Sequence, residues 1–203
     1  AIARNGRALS ALDILRCDMR ASLNGTSGTL DIRVELRPSI TVSGPVRVSC
    51  RESSGALAFA GPQVLTGQIT VSDVRPWFPH THGEPALYPV ELDMGSTQLD
   101  LGKTGFRSIA IDRDADGKGF GLVINDVPVF CRGASWSNAD VLRLPCDRAA
   151  YEPWLRLARD AGMNMIRVSG VMTYESNAFF DLCDELGLMV WQDMMLANFD
   201  YPQ

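Results

Sequence analysis

The sequence has few cysteines and histidines, and both shortages exclude classes of site. Five cysteines in 203 residues are an odd number, are widely spaced and form no CxxC pair. They predict free thiols in a reducing compartment rather than a disulfide framework. The two histidines, His80 and His82, lie in a stretch rich in proline and glycine that predicts a loop. We therefore expect no metal site and no cofactor.

The sequence also lacks a basic cluster and a long apolar run. A net charge of -5 argues against a nucleic-acid partner, which requires a basic face. No apolar run approaches the roughly 20 residues that a membrane span needs, so no membrane partner is expected. The N-terminus has no apolar segment of the kind found in signal peptides, which favours a cytoplasmic location. An apolar share of 46% indicates a globular chain that can bury a core.

Short alternating runs dominate residues 13–112. The clearest is Leu30–Arg37, in which apolar and charged residues alternate, as expected of a strand with one buried and one wet face. No segment of this region has a helical period, and Gly and Pro separate the runs. Roughly six or seven short strands in about 100 residues predict an immunoglobulin-like β-sandwich, which we assign to residues 1–112. The other predicted strands are residues 12–19, 46–50, 68–72, 88–94, 98–101 and 107–111.

The pattern changes after the polar, glycine-bearing segment Arg113–Gly119, which marks a domain boundary. Two short apolar runs around Asn125 and Asp126 predict a β-hairpin. A helix follows that should begin near Ala150, so that Pro153 falls in its first turn. Its predicted apolar face consists of Tyr151, Trp154, Leu155 and Ala158.

Residues 162–193 predict a parallel β-α-β unit. Met163–Val168 and Leu188–Asp193 are apolar runs typical of buried strands, and this places Trp191 in the core. Between them, Ser176 or Asn177 can cap a helix that Gly187 ends. The helix has an apolar stripe of Phe179, Leu182, Cys183 and Leu186. The strand ends should bring Arg167, Ser169, Gln192 and Asp193 to one rim, where parallel β/α units carry out chemistry.

The β-α-β-α-β pattern of residues 127–193 suits two folds, a doubly wound sheet or the start of a (β/α)8 barrel. A dinucleotide-binding fold needs a glycine-rich turn after its first strand, and Arg132–Trp136 lacks the required glycines. We therefore favour residues 113–203 as the incomplete N-terminal part of a (β/α)8 barrel. Such a sheet has an open edge through which the chain could associate with itself.

Several segments resemble glycoside hydrolase family 2, most closely its β-mannosidase branch. The resemblance implies retaining, exo-acting hydrolysis of terminal β-linked sugars by two carboxylates in a (β/α)8 barrel. It makes a β-glycoside the expected carbohydrate partner. The segments are Trp77–Tyr88, Gly105–Arg107, Gly119–Phe130, Arg132–Trp136, Asn164–Val168, Tyr174–Ser176, Phe179–Asp193, Ala197–Asn198 and Tyr201–Pro202.

The departures from the family pattern concern both specificity and catalysis. The mannosidase pattern Arg-Val-Trp-Gly-Gly-Gly is here Arg167-Val-Ser169-Gly-Val171-Met172. The resemblance therefore does not extend to specificity for mannose, and the hydrolysed sugar could be a different one. The Asn-Glu pair that carries the family's acid/base does not occur in this sequence. We expect no catalytic carboxylate in this chain, which alone should be inactive. The jelly-roll domain and the remaining barrel of the parent enzyme would be its partners.

Carried over to this sequence, the resemblance gives individual residues roles. Arg167 would orient the missing nucleophile, or else is a structural arginine paired with Asp193. Glu175 either anchors the rim loop through hydrogen bonds or is a solvated residue of the first helical turn. The substrate-binding candidates are Trp136, Ser169, Tyr174 and Asp193.

A second hypothesis is a non-catalytic module that binds carbohydrate or protein, made of the sandwich and a degenerate half-barrel. The altered segment 169–172 motivates it. It predicts that sugar quenches the fluorescence of Trp136 or Trp77. A nucleotide-binding protein is disfavoured because the glycine fingerprint is absent.

Overall fold

A computed structural model describes residues 3–4, 7–8, 14–38, 40, 42, 44–95, 97–171 and 173–197. The predicted features at Met172, Asn198, Tyr201 and Pro202 lie outside the described residues. The chain divides into two compact units, residues 1–76 with 87–108, and residues 77–86 with 109–203. The predicted boundary follows residue 112, whereas the first unit ends at residue 108. The short segment 77–86, predicted as part of the sandwich, belongs to the second unit.

The described part of the first unit is built of antiparallel strands. Seven of them form one sheet in the order β3-β4-β7-β6-β5-β8-β9, and its outermost strands β3 and β9 contact each other, so the sheet nearly closes. A separate pair, β1 and β2, precedes it. The strands are β1 Ala3–Arg4, β2 Arg7–Ala8, β3 Ile14–Asn24, β4 Ser27–Leu36, β5 Val46–Cys50, β6 Ser53–Gly61, β7 Val64–Val71, β8 Tyr88–Asp93 and β9 Gln98–Thr104.

Strand β4 shows why the sequence folds in this way. Its alternate residues Leu30, Ile32, Val34 and Leu36 are buried, and Asp31 and Arg33 between them are exposed. Burial of each aliphatic side chain stabilises the fold by about 1.5–3 kcal/mol. The predicted half-buried strand is confirmed.

The sequence did not reveal strand β6, which is rich in serine, alanine and glycine. These residues have low β propensity, so nothing in the segment itself indicates a strand. Pairing with β5 on one side and β7 on the other holds it in the sheet. Two flanking ladders of hydrogen bonds replace the missing local preference.

The second unit contains an antiparallel and a parallel sheet of three strands each. The antiparallel sheet includes the predicted hairpin, and Asn125 and Asp126 have φ values of 49° and 64°, as a type I′ turn requires. The antiparallel sheet consists of β10 Ile109–Asp112, β11 Gly121–Ile124 and β12 Val127–Val129. The remaining elements of the second unit are β13 Gly133–Trp136, α1 Arg148–Asp160, β14 Met165–Val168, α2 Asn177–Leu186 and β15 Met189–Gln192.

The parallel sheet has the order β13-β14-β15, and both neighbouring pairs are parallel, as predicted. Its first strand is β13, which follows the hairpin rather than forming part of it. Gly187 ends α2 in the left-handed region with φ 69°, as predicted. The predicted stripe of α2 is buried on one face of this sheet, and the core there comprises Cys146, Tyr151, Leu155, Ile166, Val168, Phe179, Leu182, Cys183, Leu186 and Leu188.

Helix α1 corrects two predictions. It begins at Arg148 because the Asp147 carboxylate caps it, with Oδ1 accepting the Ala150 amide at 3.0 Å. Pro153 therefore lies in the second turn rather than the first. Trp154 is 53% exposed, so its predicted place on the buried face is wrong. The apolar stripe is centred on Tyr151 and Leu155, and Trp154 falls at its margin.

Trp191 is also misplaced by the sequence pattern, since it is 47% exposed rather than buried. Strand alternation explains the difference, because Val190 packs on the helix side and Trp191 must then point to the opposite face. Helices cover only one face of this three-stranded sheet among the described residues.

Segment 77–86 is fastened to the second unit. The Trp77 indole donates to the Asp184 carbonyl oxygen at 2.9 Å, and the His80 amide donates to the Gly187 carbonyl oxygen at 3.0 Å. The His80 ring Nε2 lies 2.7 Å from the Met163 carbonyl oxygen. Met163 and Gly187 precede strands β14 and β15, so the segment lies at the N-terminal ends of these strands. None of the helices in the described ranges could cross a membrane, given their length and polarity.

Candidate functional site

The uncovered face of the parallel sheet carries a row of three side chains. The strand register pairs Ser135 with Arg167 and Arg167 with Trp191. They border a depression of about 250 Å³, which is also lined by Cys131, Gly133, Ala134 and Met165. Gly133 is required here because a Cβ atom would collide with the Met165 carbonyl oxygen of the adjacent strand.

Arg167 and Asp193 form a two-bond ion pair beside this depression. Arg167 donates from Nη2 to Asp193 Oδ2 at 2.8 Å and from Nε to Oδ1 at 3.2 Å. The Gly170 amide donates to the same carboxylate at 3.3 Å. The hydrogen bonds from Arg167 hold the pKa of Asp193 below its ordinary value, and Asp193 raises the pKa of Arg167. The predicted contact between Arg167 and Asp193 is present, and it is compatible with both roles considered for Arg167.

Glu175 forms a second polar centre, which is only 7% exposed. Its Oε1 accepts from Trp136 Nε1 at 2.7 Å and from Asn138 Nδ2 at 3.0 Å. Its Oε2 accepts from the Tyr151 hydroxyl at 2.5 Å. The alternative that Glu175 is a solvated residue of the first helical turn is therefore wrong. Glu175 instead anchors the loop between β14 and α2 through these hydrogen bonds.

Tyr151 extends this centre into the loop before α1. Its hydroxyl oxygen accepts the Cys146 amide at 2.8 Å, while Ser176 Oγ donates to the Cys146 carbonyl oxygen at 2.9 Å. Burial, together with the bond to Glu175, raises the pKa of Tyr151. Ser176 occupies the N-cap position of α2 as predicted, but its side chain makes no capping bond.

The structure places the remaining predicted residues in different surroundings. Trp136 points to the helix side, where its ring centroid lies 5.2 Å from that of Phe179. Tyr174 is 53% exposed, and its hydroxyl accepts the Met195 amide at 3.4 Å, which joins the loops after β14 and β15. Ser169 is partly buried and follows Arg167 by two positions in the loop after β14.

Asn164 has a role that the sequence pattern did not reveal. It is completely buried, its Oδ1 accepts the Arg132 amide at 2.8 Å, and its Nδ2 donates at 3.0 Å to both Thr81 Oγ1 and the Phe130 carbonyl oxygen. A buried amide must satisfy both its donors and its acceptor. The signal in the sequence was an uncharged polar residue within the run Met163–Val168, which is otherwise interrupted only by Arg167.

Within the described ranges, no group of three potential metal ligands comes together. All five cysteines are free thiols. Burial raises the pKa of both Cys17 and Cys50 to about 11, so these thiols are protonated at neutral pH.

No family model matches the chain. Its sequence is nevertheless 34% identical over 177 residues to β-mannosidase B of Aspergillus niger, which covers 83% of this chain. It is 38% identical over 132 residues to β-mannosidase B of Neosartorya fischeri, covering 62% of this chain. The chain is homologous to part of the family 2 β-mannosidases. The predicted resemblance is thereby confirmed.

The chain spans about a fifth of the length of these relatives, 21% of the first and 16% of the second. The crystal structure of β-D-mannosidase from Dictyoglomus thermophilum matches 91% of this chain and 24% of its own, with a TM-score of 0.68 and 32% identity. β-Glucuronidase 3 of Bacteroides uniformis matches 89% of this chain and 23% of its own with a TM-score of 0.66, but at 22% identity it shows the fold alone.

Proposed function

We propose that this chain forms part of a retaining, exo-acting β-glycosidase that removes terminal β-linked sugars. The observation that carries the proposal is the Arg167–Asp193 pair at the C-terminal ends of two parallel strands. β/α barrels perform their chemistry at this end of the sheet. Homology to β-mannosidases supports the choice of reaction.

In this proposal, the first unit is the immunoglobulin-like sandwich that was predicted for residues 1–112, and the second unit contains the start of the (β/α)8 barrel that was predicted for residues 113–203. The nearly closed antiparallel sheet and the β13-α1-β14-α2-β15 order support these two assignments. Three strands do not close a barrel, which requires further strands to cover the face that carries Arg167 and Trp191.

Retaining hydrolysis needs an acid/base and a nucleophile about 5 Å apart. We propose that both come from outside these 203 residues. In support, Glu175 is held by three donors within the second unit, and Glu185 is paired with Arg148 at 2.5 Å. These two glutamates lie at opposite ends of α2 and do not face each other across a sugar.

Arg167 would orient the nucleophile and keep it ionised. A guanidinium has five N–H donors, and Asp193 takes two of them. The other donors are then available for a second carboxylate, while Asp193 fixes the plane of the guanidinium. Asp193, Tyr174 and Ser169 would contribute to sugar binding from the same rim, whereas Trp136 packs against Phe179 on the helix side and bonds to Glu175.

A chimera tests this function. The matching segment of the Dictyoglomus thermophilum β-mannosidase is replaced by this chain, and hydrolysis of aryl β-mannoside, β-glucoside and β-glucuronide is measured. We expect the chimera to be active and the isolated chain to be inactive.

In the chimera, Arg167→Met should abolish most of the activity. The matched control is Arg156→Met, because Arg156 forms an exposed pair with Glu152 within α1. Equal activity of the two variants would refute the role of Arg167, and activity of the isolated chain would refute the location of the catalytic carboxylates.

The depression itself favours a second candidate, a non-catalytic carbohydrate-binding module. Trp191 is half-exposed there beside Arg167, an arrangement suited to stacking on a sugar ring. Trp77 is 1% exposed and Trp136 is bonded to Glu175, so Trp191 is the better fluorescent reporter. Saturable quenching by oligosaccharide in the isolated chain that is lost in Trp191→Phe would favour this candidate.

We further propose that the outer strands β13 and β15 pair with additional strands, either from the remaining barrel or from a second copy of the chain. Each of these strands has one parallel neighbour, β14, in the described sheet. Sedimentation of the isolated chain distinguishes the cases, since a concentration-dependent dimer would indicate pairing between copies and a monomer would not.

A further inference from the structure

Gly170 lies in the loop after β14 and contacts the loop after β15. Its amide donates to Asp193 Oδ2 at 3.3 Å, and its carbonyl oxygen accepts the Ala197 amide at 3.3 Å. The Asp193 amide donates to the Val168 carbonyl oxygen at 3.0 Å, beyond the last residue of β15. Residues 168–170 therefore hold the segment 193–197 through three hydrogen bonds.

The close approach of the two loops leaves no room for a side chain at residue 170. Gly170 is buried, and a Cβ atom there would collide with the Met194 carbonyl oxygen and lie 3.3 Å from Asp193 Cβ. Its φ lies outside the left-handed region, so space rather than backbone conformation requires a glycine. A larger residue would push segment 193–197 away from the end of β14.

The Gly170 amide and Arg167 bind the same carboxylate. Asp193 Oδ1 accepts from Arg167 Nε, and Oδ2 accepts from both Arg167 Nη2 and the Gly170 amide. The Arg167 side chain is 55% exposed, whereas the Gly170 donor belongs to a buried backbone. The backbone donor therefore restricts the orientation of the carboxylate and, through the two-bond pair, that of the guanidinium.

We propose that Gly170 is a positioning residue, whose amide and lack of a side chain together set the orientation of the Arg167–Asp193 pair. The inference rests on the proposed function, in which Arg167 orients the nucleophile. Its basis is the bond to Asp193 Oδ2, the close approach of Met194 and the two-bond geometry of the pair. In this role Gly170 touches neither the substrate nor the nucleophile and acts through Asp193.

The first measurement follows the Gly170 backbone amide in the isolated chain by nuclear magnetic resonance. An amide that donates to a carboxylate changes its resonance when that carboxylate takes up a proton. Lowering the pH should therefore move the Gly170 resonance in step with the Asp193 carboxyl resonance, and Asp193→Asn should remove this step. The Met189 amide, which donates to the Asn164 carbonyl oxygen at 2.8 Å, is the control and should not follow Asp193. A Gly170 resonance that does not follow Asp193 overturns the proposal.

Gly170→Ala tests the requirement for space, because the added Cβ atom forces the two loops apart. The hydrogen bonds from Arg167 and, after them, the bond from Gly170 lower the pKa of Asp193. We therefore expect Gly170→Ala to raise this pKa toward its ordinary value of about 4. The control is Gly121→Ala, in which the Cβ atom would meet Asp112 Cβ at an ordinary distance of 3.4 Å. Equal titration of Asp193 in the two variants would contradict the proposal. If Gly170→Ala fails to fold, the Gly170 resonance of the unsubstituted chain decides.

The second measurement uses the active chimera and separates a positioning role from a merely structural one. Gly170→Ala should lower kcat by about tenfold and change KM by less than about twofold, because a misplaced guanidinium no longer holds the nucleophile in its reactive geometry. Asp193→Ala leaves no carboxylate for the Gly170 amide to hold. Adding Gly170→Ala to Asp193→Ala should therefore lower kcat by less than about a further twofold. Gly121→Ala should change neither kcat nor KM.

The outcomes in the chimera separate this inference from the proposed function. An unchanged kcat in Gly170→Ala, or a second loss of about tenfold when it is added to Asp193→Ala, overturns the positioning role. A chimera that is inactive with Gly170 intact refutes the proposed function instead. The Gly170 and Asp193 resonances of the isolated chain then still decide whether Gly170 orients the carboxylate.

Discussion

The guanidinium of Arg167 and the carboxylate of Asp193 are joined by two hydrogen bonds, 2.8 and 3.2 Å long, at the ends of adjacent parallel strands. Such a two-bond pair restricts the orientation of both groups. Arg167 is the more exposed partner, with 55% of its side chain accessible against 21% for Asp193. The pair therefore lies at the surface and should contribute little to the stability of the core.

Replacing Asp193 should consequently affect activity much more than stability. Asp193→Asn removes the charge that orients Arg167, and misplacement of a group near the reacting atoms costs about 10²-fold in rate. We expect this loss of kcat in the chimera with almost no change in the thermal midpoint, because exposed pairs contribute little to stability. Glu152→Gln, which breaks the exposed pair with Arg156, is the control and should change neither quantity. A large fall in the midpoint without loss of kcat would contradict this prediction.

The pKa of Asp193 offers a direct test of the same pair. Arg167 lowers this pKa in the folded chain, so the pair stabilises the fold above the ordinary aspartate pKa of about 4. That contribution is lost as the pH falls through the lowered folded value. Carboxyl resonances should show Asp193 titrating below the ordinary aspartate pKa of about 4, and Arg167→Met should move its titration upward. An unaltered midpoint in Arg167→Met would show that Arg167 is not the cause.

Sequence patterns predicted the elements whose own residues determine their structure. Alternation in β4, the apolar stripe of α2 and the Asn125-Asp126 turn each depend on local spacing and backbone preference. Strand β6 was missed because only its neighbours make it a strand.

The candidate site was less predictable because its contacts join distant positions. Arg167 and Asp193 are 26 residues apart, yet the predicted parallel β-α-β unit brings the ends of their two strands to one rim. The partners of Glu175 lie 24 to 39 residues away on other elements, so no local pattern reveals them. Trp191 was misassigned because an apolar run does not show which face of a sheet is covered.

Asn164 should be one of the most sensitive positions for stability in the second unit. Asn164→Ala removes a fully buried side chain and leaves the Arg132 amide and the Phe130 carbonyl oxygen without the partner it provides. The expected loss in the free energy of unfolding is about 2–3 kcal/mol, measured by urea denaturation. Asn24→Ala, at an exposed asparagine, is the control and should lose less than about 0.5 kcal/mol. Similar losses in both variants would show that the buried hydrogen bonds of Asn164 contribute little.

Gly187 has a positive φ and also lies close to segment 77–86. Comparison with Gly162, which has a positive φ but no such neighbour, separates the two effects. Gly162 has φ 79°, and a Cβ atom there would meet no other described atom within 4 Å. Gly162→Ala should therefore cost only the strain of the left-handed region, about 1–2 kcal/mol. Gly187 has φ 69°, and a Cβ atom there would lie 2.6 Å from the His80 amide nitrogen. Gly187→Ala should cost about 1–3 kcal/mol more, because segment 77–86 must shift and its bond to the Gly187 carbonyl oxygen weakens. Urea denaturation of the two variants measures this difference, and equal losses would mean that segment 77–86 yields without cost.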